Sequence, residues 1–388
     1  MLDRIGRLGD RSTRLIVVLS FGWFLTQLGR QALPPLLPTI IEQFSVSPGA
    51  AGFVLTALSV LYAAAHYPGG RLSDQLSRKP VLAAGIGLMV AGFVALGFAR
   101  TYAALLLSVV SVGIGAGLYF ITMRVVVFDL APSNQGWAIG VNMAAGNVGA
   151  ILAAGLVAFV LTGDTWQSVF VAIAAGLVVT LLCLHRMLSE PVSLGRVELH
   201  ALETIRRVFG TARIRRLVVA YSLVVFVWQG GIGFLPTFLQ ATKGFSPALA
   251  SGGFAFVWFV GIVFMPISGT LSDRFSRMSV TVSAIFACGV GVLWLVVAGS
   301  APAVFAAIAV FGAGLMSFPS AMQAYLLDIF PSGNVGGDFG VFKTIYTGVG
   351  AFGPTSVGVL AGRVGYSIAY LTLLACLAVA LVILYRTG

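Results

Sequence analysis

The stretch GRLSDQLSR at residues 70–78 returns almost unchanged as GTLSDRFSR at residues 269–277. The shift from 70 to 269 is 199 positions, close to half of the 388 residues. The same shift relates other parts of the two halves. It carries Asp129, Pro132 and Ser133 onto Asp328, Pro331 and Ser332, Gly113 and Gly115 onto Gly312 and Gly314, and Ser47-Pro48 onto Ser246-Pro247. One shift shared by separate regions indicates that the two halves are structural repeats.

Composition indicates that these repeats lie in a membrane. The chain is 59% hydrophobic and 9% charged, with a mean hydropathy of +1.01, whereas soluble domains carry roughly 25% charged residues. Apolar runs long enough to cross a bilayer follow one another from Leu15 to Leu384. The sequence therefore predicts an all-α membrane protein with about twelve transmembrane helices and excludes a water-soluble fold.

The predicted spans fall into two groups of six. They lie near 15–40, 52–72, 80–99, 102–126, 137–161, 167–186, 216–240, 250–270, 280–299, 302–327, 338–362 and 366–386. A polar, arginine-rich segment at 187–215 separates the groups. We expect an N-terminal six-helix bundle (1–186), a cytoplasmic linker (187–215) and a pseudo-symmetric C-terminal bundle (216–388). Transporters built from such repeats bind substrate near the bilayer midplane.

The net charge of +11 is explained by topology. With both termini in the cytoplasm, all 23 basic residues except Arg30, Arg100, Lys243 and Arg363 lie on the cytoplasmic side. This is the positive-inside pattern of a multi-pass protein, and it argues against nucleic-acid binding. We expect the protein to lie in the inner (plasma) membrane. The N-terminus shows no signal peptide, so the first span should be retained.

The sequence offers no sign of an enzyme or a cofactor. The three cysteines, Cys183, Cys288 and Cys376, lie in apolar runs without paired or metal-ligand spacing. No nucleophile–base pair or phosphate-binding loop stands in a plausible context. We expect no cofactor and no metal, and a monomer.

Residues 70–79 resemble the signature loop of the major facilitator superfamily, which joins its second and third helices. That pattern reads Gly, any, Leu, small, Asp, basic, any, Gly, basic, basic. Gln75 and Ser77 depart from it, and the second copy restores Arg274 but has Met278 at the last position. The resemblance implies the fold of that superfamily and transport by alternating access. It also implies a cavity lined by helices one, four, seven and ten.

The charges of these loops predict gating contacts at the cytoplasmic helix ends. Arg78 can reach Asp129, and its repeat Arg277 can reach Asp328. Such pairs would close the cytoplasmic side in one state and separate in the other. The alternative is a static anchor of topology. The predicted gating residues are Asp74, Arg78, Asp129, Asp273, Arg277 and Asp328.

Arg30, on the first span, is the leading candidate for a substrate ligand. Charges within the hydrocarbon region are costly and therefore point to function. A guanidinium facing the cavity would offer a rigid fork to a carboxylate, phosphate or sulfonate, although it could instead snorkel to the outer headgroups. No Asp or Glu falls in the middle of a span, and this favours an anionic substrate.

His66 is the candidate for proton coupling, because it is the mid-span group that titrates near neutral pH. The alternative is a hydrogen-bonded packing residue. Amide, hydroxyl and aromatic side chains could orient a ligand. These further candidates are Gln27, Gln31, Tyr62, Tyr119, Asn142, Trp228, Gln229, Trp258, Gln323 and Tyr346.

The sequence thus predicts a secondary active transporter of a small organic anion, working by proton symport, exchange or uniport. An alternative is an exporter of drugs or amphipathic lipids. The drug-antiporter branch carries an arginine early in helix four and a Gly-Pro element in helix five, and neither is present here. A third alternative, a non-transporting membrane receptor, would not need gating loops in both halves.

Overall fold

The computed structural model describes residues 10–75, 77–131, 135–161, 163, 166–188, 205–206, 209–329 and 335–387. These residues form thirteen long α-helices and no strand. The helices are α1 (Asp10–Gln43), α2 (Pro48–Gln75), α3 (Arg78–Gly97), α4 (Tyr102–Leu130), α5 (Gln135–Val160), α6 (Ser168–Met187), α7 (Ala212–Lys243), α8 (Pro247–Arg274), α9 (Arg277–Val297), α10 (Ala301–Ile329), α11 (Val335–Gly350), α12 (Gly353–Val364) and α13 (Tyr366–Tyr385).

The predicted all-α membrane fold is confirmed. Within the described part of the chain, ten helices are long and apolar enough to cross a bilayer. Each predicted span coincides with one of the helices, apart from the eleventh. Most of the predicted linker, 189–204 and 207–208, lies outside the described residues.

The eleventh span differs from the prediction, because it is two helices rather than one. α11 ends at Gly350 and α12 begins at Gly353, with a turn at residues 351–352 between them. Pro354, in the first turn of α12, has no N–H to continue the helical hydrogen bonds across this point. Gly353 also lies directly against the backbone carbonyl of Phe226 in α7. The proline and this close approach explain the break.

The helices cluster into two compact units. The first comprises the described parts of Met1–Ala32, Ala57–Leu156 and Val160–Leu199, and the second those of Leu33–Thr56, Val157–Phe159 and His200–Gly388. Such clusters group contacts in one conformation and do not define parts that fold independently. The domain boundaries expected from the sequence therefore remain predictions.

The same helix contact recurs in both units at the predicted shift of 199. A Cβ added at Gly115 in α4 would lie 2.5 Å from the carbonyl oxygen of Gly85 in α3. A Cβ added at Gly314 in α10 would lie 2.5 Å from the carbonyl oxygen of Ala284 in α9. Small residues let membrane helices approach closely, so both pairs pack backbone against backbone.

The turns that follow α1 and α7, the first helices of the two sequence halves, also repeat. Ser45, after α1, has φ 49°, and Gly244, after α7, has φ 66°. Both residues occupy the left-handed region that ends helices. Ser47 and Ser246 then cap the next helices, and each hydroxyl accepts the N–H three residues on, at 3.2 and 3.3 Å. Residues that are 199 positions apart in the sequence thus occupy equivalent backbone positions in the structure.

Arginines satisfy equivalent carbonyls at the ends of α6 and α13. Arg11 donates to the Met187 carbonyl at 2.7 Å, and Arg216 donates to the Arg386 carbonyl at 3.5 Å. Met187 and Arg386 are again 199 positions apart. Cations at these positions complement the negative ends of the helix dipoles.

Candidate functional site

Three helices of the first unit bring cations and rings together. α1 carries Arg30, α2 carries Tyr62 and His66, and α4 carries Phe120 and Arg124. The residues on α2, and likewise those on α4, are four positions apart and therefore lie on one face of their helix. With Trp23 of α1, we call these residues the cation–aromatic cluster.

Arg30 lies over the ring of Tyr62. Its guanidinium carbon is 3.9 Å from the ring centroid, which is a close cation–π contact. The same guanidinium donates a hydrogen bond to Gln27 Oε1 at 3.2 Å. Arg30, Gln27 and Tyr62 are all half-buried. Ring and amide together fix the direction of the guanidinium, which is the pre-organisation that anion recognition by arginine requires.

The cluster continues through its rings to a second arginine. The Tyr62 and His66 rings lie 4.4 Å apart, and the His66 and Phe120 rings lie 5.3 Å apart. Phe120 also packs on Trp23 at 4.9 Å. Phe120 also contacts Arg124, whose guanidinium carbon lies 4.7 Å from the centroid of the Phe120 ring. Two guanidinium groups are therefore linked by a continuous set of aromatic rings.

Neither guanidinium has a carboxylate partner among the described residues. The Nε–H groups of Arg30 and Arg124 are buried, and no described residue accepts a hydrogen bond from either. An arginine at the centre of a membrane helix costs about 3 kcal/mol on insertion scales. Two guanidinium groups without a carboxylate partner in this part of the chain make the cluster a site of positive potential.

Two other predicted ligands of this unit serve helix contacts. The Tyr119 hydroxyl is fully buried and donates to the Leu19 carbonyl at 2.7 Å. Asn142 is also buried, and its Nδ2 donates to Ser20 Oγ at 3.4 Å. Gln31 is half-buried on α1. The structure thus brings Gln27, Arg30, Tyr62 and His66 together, and leaves Tyr119, Asn142 and Gln31 outside the cluster.

The second unit contains an aromatic group of its own. Trp228 of α7 and Trp258 of α8 have ring centroids 6.4 Å apart, and Phe254 lies 6.4 Å from Trp258. The Trp258 indole N–H is buried and has no partner among the described residues. Tyr346 of α11 packs separately, in an edge contact with Tyr221 at 6.4 Å. Gln229 is half-buried. The side chain of Gln323 lies outside the described residues.

Sequence reasoning missed Phe120 and Trp23. It placed Arg124 only among the basic residues of the cytoplasmic side. The signal was available in part, because Phe120 precedes Arg124 by one helical turn, the spacing at which side chains on a helix meet. What the sequence could not reveal is which face of α4 turns toward α2.

One predicted gating pair is in contact. Arg78 Nη2 lies 2.5 Å from Asp129 Oδ2, in a half-exposed ion pair between α3 and α4. Asp273 is exposed and Arg277 is half-buried. The side chains of Asp74 and Asp328 lie outside the described residues. Arg78 and Asp129 are thus in contact, whereas their role in gating stays a prediction.

Metal ligation finds no support in the described ranges. Nowhere among these residues do three His, Cys, Asp or Glu side chains come together. The cysteines Cys183, Cys288 and Cys376 are free thiols. The candidate site itself presents guanidinium, imidazole and aromatic groups.

Comparison with known proteins identifies the family. A family model described as Major Facilitator Superfamily matches residues 19–354. The uncharacterized MFS-type transporter YceJ of Bacillus subtilis is 28% identical over 218 residues, 54% of each chain. Quinolone resistance protein NorA of Staphylococcus aureus is 26% identical over 217 residues, 54% of this chain and 56% of that protein. These alignments span about half the length of each relative.

Solved structures agree with the fold. The nucleoside transporter NupG superposes with a TM-score of 0.80 at 15% identity, covering 97% of this chain and 99% of that chain. A bacterial homologue of the human lysosomal transporter Spinster, inward-facing and unoccupied, superposes with a TM-score of 0.74 at 18% identity. This superposition covers 98% of this chain and 96% of that chain. Likeness at this identity shows the fold alone. The family model that matches residues 19–354 shows that the chain belongs to the Major Facilitator Superfamily.

Proposed function

We propose that this protein carries a small organic anion across the membrane by alternating access, with Arg30 as the main anion ligand. The observation that carries the proposal is the pair of guanidinium groups in the cation–aromatic cluster, Arg30 and Arg124, without a carboxylate partner in the described part of the chain. An anionic substrate would supply the missing counter-charge. The rings of Tyr62 and Phe120 would pack against its apolar part.

The remaining expectations complete this proposal. We place the protein in the inner (plasma) membrane with both termini cytoplasmic, because of the distribution of its basic residues, and we expect it to act as a monomer. Arg78 and Asp129 would form part of the cytoplasmic gate. Such a protein is a carrier rather than an enzyme.

Export of drugs or amphipathic lipids is the second candidate. Its support is the likeness to NorA, whose name states quinolone resistance, and the ring contacts of Trp228, Phe254 and Trp258, which suit lipophilic cargo. The two candidates differ in the charge of the substrate. A lipophilic cation would be repelled by Arg30 and Arg124.

Ligand-induced thermal stabilisation of the purified protein distinguishes the two candidates. The panel contains carboxylates, phosphates, inorganic anions, sugars and lipophilic cations. We expect the melting temperature to rise most with organic anions, because they supply the counter-charge and also pack an apolar part against the rings when they bind the native state. Stabilisation by lipophilic cations, with no response to anions, would replace the anion carrier by the exporter.

His66 gives a second prediction, that transport is coupled to protons. The imidazole lies between Tyr62 and Phe120, so a proton on it adds a third positive charge to the cluster. An anion should then bind more tightly as the pH falls. We expect His66→Gln to abolish anion accumulation driven by an imposed pH gradient in proteoliposomes, while exchange of anion for anion continues.

The matched control is His185→Gln, because His185 is exposed at the end of α6, outside the cluster. It should leave the pH dependence unchanged. Gradient-driven accumulation that survives in the His66 variant would show that another group, or no proton, couples transport.

A further inference from the structure

The surface of the second unit has a long apolar groove between α9 and α13. It consists of two adjoining cavities of about 240 and 660 Å³ that share Phe286 and Leu381. The first cavity extends to Leu293 and Leu374, and the second ends at Tyr385. From Val282 to Leu293 the groove runs about 17 Å along α9, at 1.5 Å per residue. This length is close to the about 15 Å of hydrocarbon in one leaflet.

A glycine gives the groove its depth. A Cβ added at Gly289 would meet Leu377 and Leu374 only at 3.8 and 3.9 Å, which are ordinary contact distances. A Cβ would therefore fit beside α13 in ordinary contact, whereas Gly291 two residues on lies directly against the backbone of α10. Gly289 is thus not required for helix packing. The absence of a side chain at Gly289 deepens the first cavity, which this residue lines.

The chemistry of the groove changes at the end where α9 begins and α13 ends. There the lining includes Ser283, Tyr385 and Arg386. Tyr385 is 88% exposed, which suits an aromatic residue at the membrane interface. The Arg386 side chain makes no hydrogen bond or ion pair with another described residue. Arg216 brings a second guanidinium to the same end through its bond to the Arg386 carbonyl.

Charge complementarity identifies what would fill this groove. Neither α9 nor α13 contains an acidic residue. The groove therefore combines an apolar channel of leaflet length with a cationic end on the side that the positive-inside rule places in the cytoplasm. A zwitterionic lipid would gain apolar contacts in the channel but little electrostatic attraction to the arginines. A lipid with a net negative headgroup would gain both.

We propose that the groove between α9 and α13 binds one anionic phospholipid, with an acyl chain along Gly289 and the phosphate on Arg386. The site is independent of the cation–aromatic cluster, which lies in the other unit. The lipid would seal α9 against α13 at a place where the protein leaves a gap.

Native mass spectrometry of the full-length protein in detergent tests the site. The probes are phosphatidylglycerol and phosphatidylcholine with identical acyl chains. We expect about fivefold more of the one-lipid adduct with phosphatidylglycerol, the preference that one arginine at an anionic surface provides. Arg386→Gln should remove the preference. Gly289→Leu should lower the adduct of both lipids, because the leucine occupies the channel.

Two controls match these variants. Arg363→Gln removes an exposed arginine at the end of α12, and Gly87→Leu adds the same side chain at a position of α3 with nothing within 4 Å. Both should bind lipid as the unaltered protein does. Because Arg386 is exposed, its variant remains informative should Gly289→Leu fail to fold.

Three results would overturn the proposal. Equal adducts of the two lipids would exclude an anionic headgroup site. An unchanged preference in Arg386→Gln would place the headgroup elsewhere. Dimer peaks that vanish in Gly289→Leu, without a lipid effect, would show that a second copy of the chain occupies the groove.

Discussion

Arg30→Ala is expected to lower the affinity for the substrate anion about 100-fold, because truncating one partner of a buried charge pair costs about 2–5 kcal/mol. In the unliganded protein the guanidinium is stacked on Tyr62 and bonded to Gln27, but no carboxylate of the described chain neutralises it. Removing it loses one ring contact and relieves one uncompensated charge. The melting temperature without ligand should therefore change little, while the ligand-induced rise disappears.

Arg30→Lys refines this result. Lysine retains the charge but presents a point donor instead of a planar fork, and it stacks less well on a ring. We expect an affinity between those of the unaltered protein and the alanine variant, about tenfold below the former. Equilibrium binding of the anion selected by the thermal panel measures all three proteins.

Arg100→Ala is the matched control, since Arg100 is an exposed arginine beyond the end of α3. It should bind the anion normally. If Arg30→Ala binds normally and Arg124→Ala does not, Arg124 is the anchor and our assignment of Arg30 is wrong. If neither arginine matters, the anion carrier itself is excluded.

The second large effect is expected from Gly314→Leu, which should abolish the folded protein. The Cβ position of Gly314 lies directly against the backbone of α9, at the Cys288 nitrogen and the Ala284 carbonyl. Backbone atoms cannot rotate away as a side chain can, so α9 and α10 must separate. Overpacking of this kind costs about 3 kcal/mol or more. The yield of monodisperse protein after detergent extraction, followed by size-exclusion chromatography, is the measurement.

The repeat supplies a second test of the same contact. Gly115→Leu should fail equally, because Gly115 meets the Gly85 carbonyl at the same 2.5 Å. Gly252→Leu is the control, since this exposed glycine of α8 has nothing within 4 Å of its Cβ position. Normal yield of Gly314→Leu would mean that α9 and α10 are further apart than described.

Much of the fold could be predicted from the sequence, because the membrane restricts the choice. Apolar runs of bilayer length must be helices, and a shared shift of 199 relates Gly115 to Gly314 and Ser47 to Ser246 in structure as well as in sequence. The eleventh span was predicted as one continuous stretch, 338–362, and the break at residues 351–352 lies within it. Hydropathy does not register a bend, although Gly353 and Pro354 carried the signal.

The candidate site could be predicted only in part. Arg30 and His66 stood out because polar groups are rare in such spans. The ring that links His66 to Arg124 did not, since Phe120 is one of 28 phenylalanines and its partners depend on how α4 is rotated. Tyr119 shows the converse, because a hydroxyl that suits a ligand donates to the backbone of α1. Rarity in the spans identifies Arg30 and His66 from the sequence. The rotation of each helix about its axis decides which common residues contact them.

The glycine contact between α3 and α4 also bears on how the protein is made. Gly85 and Gly115 lie on consecutive helices, so their contact can form as soon as α4 has left the ribosome and entered the bilayer. The pair Ala284 and Gly314 repeats this for α9 and α10. Contacts that are local in sequence form early and with little search. Biogenesis can therefore proceed hairpin by hairpin, with each half acquiring its own closely packed pair before its last helices are synthesised.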